Sequence, residues 1–136
     1  MPTLTVPAVP IAALTASALS VLYIRLAFGV IALRRKHSVR LGTGQHDDLE
    51  AAIRAHANFA EYVPLTLLMI AVAEINHGAW PITLLSATLL VLGRLAHARA
   101  LARDDIPMRV RGMKATFFAI GTAAAANLTA FVSLGS

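Results

Sequence analysis

The sequence predicts an all-α integral membrane protein, an antiparallel bundle of four transmembrane helices. The chain of 136 residues is 57% hydrophobic and only 14% charged, and its mean hydropathy of +0.69 lies above the range of soluble domains. Its apolar residues fall into four segments, each near the roughly 20 residues that a membrane-spanning helix needs. These segments predict helices at about residues 9–33, 48–73, 80–101 and 113–134, all within one domain covering residues 1–136.

The first three helices have recognisable boundaries. No Lys or Arg precedes the first apolar segment, which does not fit a cleaved signal peptide, so we expect this segment to be retained. A turn signal at residues 41–45 is followed by Asp47, Asp48 and Glu50, acidic residues suited to a helix N-terminus. Trp80 and Pro81 open the third helix at the membrane interface after a short link, so helices two and three should be adjacent and antiparallel.

The fourth helix is rich in small residues, which let the backbones of neighbouring helices approach closely. These residues are Ala115, Ala119, Gly121, Ala123 and Ala125. Within the same helix, Asn127 is expected to form an interhelical hydrogen bond rather than to bind a ligand. So much small and apolar surface on a short chain is also compatible with an oligomer.

The net charge of +5 is concentrated in two links between helices. By the positive-inside rule these links are cytoplasmic and both termini lie on the opposite side of the membrane. The clusters are short and contain no interleaved aromatic residues, so they predict contact with anionic lipids and no nucleic-acid partner. The basic residues are Arg34, Arg35, Lys36 and Arg40 in the first link, and Arg99, Arg103, Arg109, Arg111 and Lys114 around the last.

Helix two carries a polar row within its apolar sequence. Arg54, Asn58 and Glu61 are spaced four and three residues apart and share one helix face. Each ionisable side chain at mid-bilayer costs roughly 2.5–3.5 kcal/mol, so this face should look into a protein interior or a wet cavity. A guanidinium, an amide and a carboxylate in a row suit an extended zwitterionic ligand, because they can hold a carboxylate, a peptide group and an ammonium. The alternative, an Arg54–Glu61 pair that satisfies itself, carries equal weight.

Helix three supplies a second polar face. Arg94 and His97 are neighbours on one side of this helix, at the depth of the helix-two row, and two such faces on adjacent helices predict a pocket. No metal site is predicted, because the chain has no Cys and His56 and His97 have no convincing third ligand. Arg109, just after Pro107, could stabilise a thiolate at the mouth of the bundle, or it could simply face lipid headgroups. Arg25, within helix one, is unexplained, since its side chain could either snorkel to the membrane interface or form a pair in the interior.

The string Arg54-Ala55-His56-Ala57-Asn58-Phe59-Ala60-Glu61-Tyr62-Val63-Pro64 resembles the signature of the MAPEG family, membrane-associated proteins in eicosanoid and glutathione metabolism. Gly93-Arg94-Leu95-Ala96-His97 and Pro107-x-Arg109 extend the resemblance over nearly the whole chain. The compact size is similar to the bacterial, largely uncharacterised branch, which implies an inner-membrane location.

This resemblance implies a homotrimer that binds glutathione as cosubstrate between neighbouring subunits, on the cytoplasmic side. By position, the glutathione-binding residues would be Arg34, Arg54, Asn58, Glu61, Tyr62, Arg94 and His97, with Arg34 approaching from the neighbouring chain. Arg109 matches a pocket arginine of one subfamily and is the predicted catalytic residue. The chain departs from other members at Leu101, where several have tyrosine, at Val110, where one subfamily has serine, and at Met113, where another has its thiol-activating arginine.

The leading hypothesis is therefore a membrane-bound, glutathione-dependent transferase or peroxidase that acts on lipophilic electrophiles. A non-catalytic lipid- or glutathione-binding scaffold of the same fold is the first alternative, favoured by Leu101 and Met113. A small four-helix transporter is the second, with Glu61 as a proton-coupled site, since intramembrane carboxylates often serve transport.

Overall fold

A computed structural model describes residues 8–103 and 105–134, and these residues form four α-helices. The helices are α1 (Pro10–Lys36), α2 (Asp47–Ile75), α3 (Trp80–Arg103) and α4 (Ile106–Leu134). All four are long and apolar enough to cross a membrane. The predicted all-α fold is confirmed. The positions of the two termini were also predicted, and they concern residues 1–7 and 135–136, outside the described residues.

Helix α1 is fixed at its N-terminal end by a carboxylate from α2. The backbone N–H groups of Ile11 and Ala12 donate to the two carboxylate oxygens of Glu74, at 2.9 and 2.8 Å. These N–H groups have no acceptor within the helix, and a negative charge is favourable at a helix N-terminus. Glu74 therefore clamps the start of α1 against the end of α2.

The opposite ends of α1 and α2 are joined by an ordered link over residues 37–46. Nη1 of Arg34 donates to the carbonyl oxygens of Arg40 and Gly42, at 3.2 and 3.1 Å. The carboxylate of Asp48 lies 3.3 Å from Nζ of Lys36 and 3.0 Å from Nε2 of His37. These contacts hold the first basic link against the start of α2.

Helices α3 and α4 pack most closely, through Gly93 and Gly112. A Cβ atom added at Gly93 would lie 2.9 Å from the carbonyl oxygen of Gly112, and one at Gly112 would lie 2.8 Å from the backbone nitrogen of His97. The hydroxyl of Ser86 also donates to the carbonyl oxygen of Ala119, at 2.7 Å. Of the small residues predicted to pack, Ala119 and Ala123 are fully buried, whereas Gly121 and Ala125 lie on the exposed side of α4.

Helix α4 begins at Ile106, before the start at residue 113 that apolar composition predicts. Asp105 caps this end, because its Oδ1 accepts a hydrogen bond of 2.9 Å from the backbone N–H of Met108. Arg109, Arg111 and Lys114 therefore lie on the first turns of a helix rather than in a link.

The predicted interhelical role of Asn127 is confirmed. Its Nδ2 donates to the carbonyl oxygen of Met69 on α2, at 2.8 Å, and to that of Ala123. This bond joins α4 to α2 near the end of the bundle where Glu74 clamps α1. The apolar core between the two ends contains Leu19, Phe59, Val63, Leu90 and Ala119.

Candidate functional site

The polar row of α2 keeps its charged ends on the surface of the chain. Seven residues separate Arg54 from Glu61, so the row covers about 10 Å of helix axis. The side chains of Arg54 and Glu61 are exposed, and that of Asn58 between them is half-buried. Within residues 8–103 and 105–134 no ion pair joins Arg54 to Glu61. The structure therefore does not contain the self-satisfied pair that was the alternative prediction.

Arg94 lies at the centre of the bundle behind this row. Its side chain is only 2% exposed, and its Nη1 donates to Oδ1 of Asn58 at 2.6 Å. This bond confirms that the polar faces of α2 and α3 meet at one level. Since Arg94 bonds the amide oxygen of Asn58, the amide NH2 is the group of this side chain that could bind a ligand.

Helix α4 completes the surroundings of Arg94. Its Nη2 donates to the hydroxyl of Thr116, and the sulfur of Met113 lies 3.4 Å from the same nitrogen. The guanidinium carbon lies 5.9 Å from the centre of the Tyr62 ring, a distance typical of a cation–π contact. Every one of these groups is neutral, so the described part of the chain places no carboxylate against this buried cation.

Tyr62 forms the link between the buried network and the exposed row. Its ring is half-buried and packs edge-on against Phe117 of α4, with the ring centres 5.6 Å apart. The next residue along the row, Glu61, is exposed beside it. The contact between Tyr62 and Phe117 thus joins α2 to α4 beside the polar row.

His97 and Arg109 lie close together across the α3–α4 contact. His97 is 4% exposed, and it packs against Gly112, which is one turn after Arg109 on α4. The side chain of Arg109 is exposed at the start of that helix. Arg34, the residue expected to act from a neighbouring chain, donates hydrogen bonds to carbonyl groups of the first link within its own chain.

Three buried side-chain nitrogens have no hydrogen-bond partner in the part of the chain that the structure describes. They are Nε2 of His56, Nε of Arg94 and Nδ1 of His97. A buried polar nitrogen without a partner is costly, so such atoms mark places where water, a ligand or another chain completes the structure. His56 packs against Tyr23 of α1, with ring centres 4.8 Å apart, on the side of α2 away from Arg94.

Sequence reasoning missed that α4 contacts Arg94. Met113 was noted only because one subfamily has an arginine there, and a Thr in an apolar helix, such as Thr116, gives no signal of a contact with Arg94. Only the spacing from Gly93 and Gly112, the close-contact residues, could have indicated which face of α4 meets Arg94. Among the described residues, no group of three His, Asp or Glu side chains is arranged to hold a metal ion.

The fold and the site define a class: a four-helix membrane protein with a candidate ligand site. The site combines a row of polar groups on α2 with a buried arginine from α3. Residues 12–129 match the family model described as the MAPEG family, and the chain belongs to this family. It is 30% identical over 118 residues to "Inner membrane protein YecN" of Escherichia coli strain K12, covering 87% of this chain and 90% of that protein. The same figures hold for YecN of Escherichia coli O6:H1 strain CFT073. No solved structure matches the chain. Together with the four spanning helices, these relatives support a multi-pass protein of the inner membrane.

Proposed function

We propose that this protein is a glutathione-dependent transferase or peroxidase that acts on lipophilic electrophiles entering from the membrane. The observation that carries the proposal is the polar row of α2, whose two charged ends are exposed and unpaired within the described residues while Asn58 between them is fixed by Arg94. Glutathione is an extended tripeptide with carboxylates, an ammonium and two peptide groups. Arg54 would hold a carboxylate, Glu61 the ammonium, and Asn58 a peptide group.

The proposed assembly is a homotrimer with the site between neighbouring chains. Arg54 and Glu61 are exposed on a helix that spans the membrane. Exposure of each side chain to lipid would cost roughly 2.5–3.5 kcal/mol. A neighbouring chain that covered this face would remove that penalty and enclose the ligand. Arg34 of the neighbour would then complete the pocket, which also contains Tyr62 and His97.

Arg109 is the proposed catalytic residue. A cation near the bound thiol favours the thiolate, which is the nucleophilic form. The exposed guanidinium of Arg109 lies at the mouth of the bundle beside His97, where a bound thiol would meet an electrophile arriving from the bilayer. In the transferase reaction the thiolate sulfur forms a bond to the electrophilic carbon, and the electron pair of the broken bond leaves with the displaced group.

A non-catalytic scaffold of the same fold is the second candidate, and one observation favours it. Met113 stands where one subfamily has its thiol-activating arginine, and its sulfur packs against the buried guanidinium of Arg94. A site with ligand-binding groups but no cation at position 113 would bind glutathione without activating its thiol. The scaffold proposal therefore shares Arg54, Asn58 and Glu61 with the enzyme proposal. The two differ in whether the protein activates the thiol of the bound glutathione.

Turnover measurements separate the two candidates. Purified protein is incubated with glutathione and, in separate reactions, with an aryl halide, an unsaturated aldehyde and a lipid hydroperoxide. A conjugate identifies a transferase, and an alcohol with oxidised glutathione identifies a peroxidase. Glutathione binding without any product over the whole panel would support the scaffold, and the absence of both binding and product would reject the two candidates together.

A further inference from the structure

A cavity lies on a side of the bundle that does not include the polar row. It has a volume of about 460 Å³ and is enclosed by α1, α2 and α3 at the end of the bundle that carries the first basic link. This volume is in the range of ligand pockets, roughly 300–1,000 Å³. Its walls are mostly Leu, Ala and Gly, including Leu22, Gly29, Ala52 and Leu95. The cavity therefore suits a hydrocarbon chain.

Three charged residues interrupt this apolar lining: Arg25, Asp48 and Arg99. The carboxylate of Asp48 is already engaged by Lys36 and His37, at 3.3 and 3.0 Å. Neither Arg25 nor Arg99 has an ion-pair partner in the part of the chain that the structure describes. The cavity thus combines apolar walls with two positive charges that lack a counter-charge.

The position of Arg25 within the membrane makes the missing counter-charge important. Arg25 lies eleven residues before the end of α1 at Lys36, or about 16 Å along the helix, and its side chain is exposed. A guanidinium within a spanning helix needs an anion or a polar partner. Arg99 lies near the end of α3, closer to the membrane surface, so the two charges line the cavity at different depths.

We propose that this cavity binds an anionic phospholipid, with an acyl chain between α1, α2 and α3, the phosphate at Arg99 near the membrane surface, and the long side chain of the deeper Arg25 extending toward the same headgroup. Basic pockets between transmembrane helices on the side of the basic links recognise anionic headgroups, because that leaflet supplies the ligand at high concentration. Two arginines that are unpaired within the described residues and an Asp48 that is already paired give the lining a net positive charge, which favours an anionic lipid over a zwitterionic one. This inference uses none of the residues of the proposed glutathione site.

Native mass spectrometry tests the proposal on the full chain released from detergent. The protein is incubated with phosphatidylglycerol or with phosphatidylcholine of identical acyl chains, and we expect phosphatidylglycerol to be retained preferentially, at one molecule per chain. Arg25→Gln and Arg99→Gln should each lower its retention by about fivefold, the effect of one surface charge. Arg103→Gln, an exposed arginine of α3 outside the cavity, is the matched control and should leave retention unchanged.

A cavity-filling variant provides a second test that leaves the charges in place. A side chain at Gly29 meets no atom within 4 Å of its Cβ position, so Gly29→Leu should fill the cavity without disturbing the fold. It should abolish phosphatidylglycerol retention while the helix content stays that of the wild type. Equal retention of the two lipids, retention unaffected by Arg25→Gln and Gly29→Leu, or stronger retention of oleate than of phosphatidylglycerol would each overturn the proposal.

Discussion

Two arginines on neighbouring helices, Arg54 of α2 and Arg94 of α3, occupy opposite environments. Arg94 is buried between α2, α3 and α4 and donates to Asn58 and Thr116, whereas Arg54 is exposed and has no ion-pair partner in the described residues. The buried guanidinium holds three helices at one level, and its removal would leave the acceptors without a donor. The exposed guanidinium contributes nothing comparable within one chain, so its presence in a membrane helix points to a ligand or a neighbouring chain. Stability is thus the role of Arg94, and the proposed binding uses Arg54.

The largest effect is expected at Arg94, in folding. Arg94→Ala removes hydrogen bonds from a cation to the half-buried Asn58 and the buried Thr116 and leaves a cavity between three helices, which should lower the free energy of unfolding by about 3 kcal/mol or more. Denaturant unfolding in detergent, followed by helix circular dichroism, measures this change. Arg103→Ala, at the exposed end of the same helix, is the control and should change stability by less than about 0.5 kcal/mol. Equal stability of the two variants would remove the structural role of Arg94.

At the exposed ends of the row we expect the larger effect on glutathione binding and the smaller one on stability. Arg54→Ala and Glu61→Gln should each weaken glutathione binding by roughly 1.5–3 kcal/mol, the value of a lost charged hydrogen bond, with little effect on stability. Calorimetric titration gives the affinities. Glu50→Gln, an exposed carboxylate at the start of the same helix, is the matched control and should bind like the wild type. Wild-type affinity in a well-folded Arg54→Ala protein would refute the assignment of Arg54.

Arg109 should affect the thiol more than the affinity. If its charge stabilises the thiolate, Arg109→Ala should raise the pKa of the bound glutathione thiol by about one unit, equivalent to about 1.4 kcal/mol, and reduce turnover accordingly. The sign follows because the lost cation favoured only the ionised form. Ultraviolet titration of the thiolate measures the shift, with Arg111→Ala on the same helix as control. A titration curve that is the same in the wild type and both variants would shift the balance to the scaffold.

The smallest effect is expected at Asn127, which resembles Asn58 in chemistry but not in location. Asn127→Ala should lower stability by about 1 kcal/mol, because the carbonyl oxygen of Met69 loses its additional donor. Glutathione affinity should not change. An affinity change in this variant, at constant stability, would mean that binding depends on the whole α2–α4 packing rather than on the row.

The sequence was sufficient to predict the four helices and the polar face of α2, because apolar length and helical periodicity carry that information. It also predicted that Arg94 meets this face. It did not predict which charged residue would be buried. Arg94 and Arg54 are both arginines within apolar helices, and only tertiary packing sets their environments. The early start of α4 was missed because Arg109, Arg111 and Lys114 interrupt the apolar sequence between the Asp105 cap and the continuous apolar segment. The Glu74 clamp on α1 was missed because it joins residues more than sixty positions apart.

Calorimetric titration of the purified, folded wild-type protein with glutathione tests the central claim most directly. The account predicts saturable binding of one glutathione per chain, weakened in Arg54→Ala and in Glu61→Gln and unchanged in Glu50→Gln. No binding heat in detergent and none after reconstitution into lipid would contradict the account, and the exposed charges of α2 would then require another explanation, such as proton-coupled transport through Glu61.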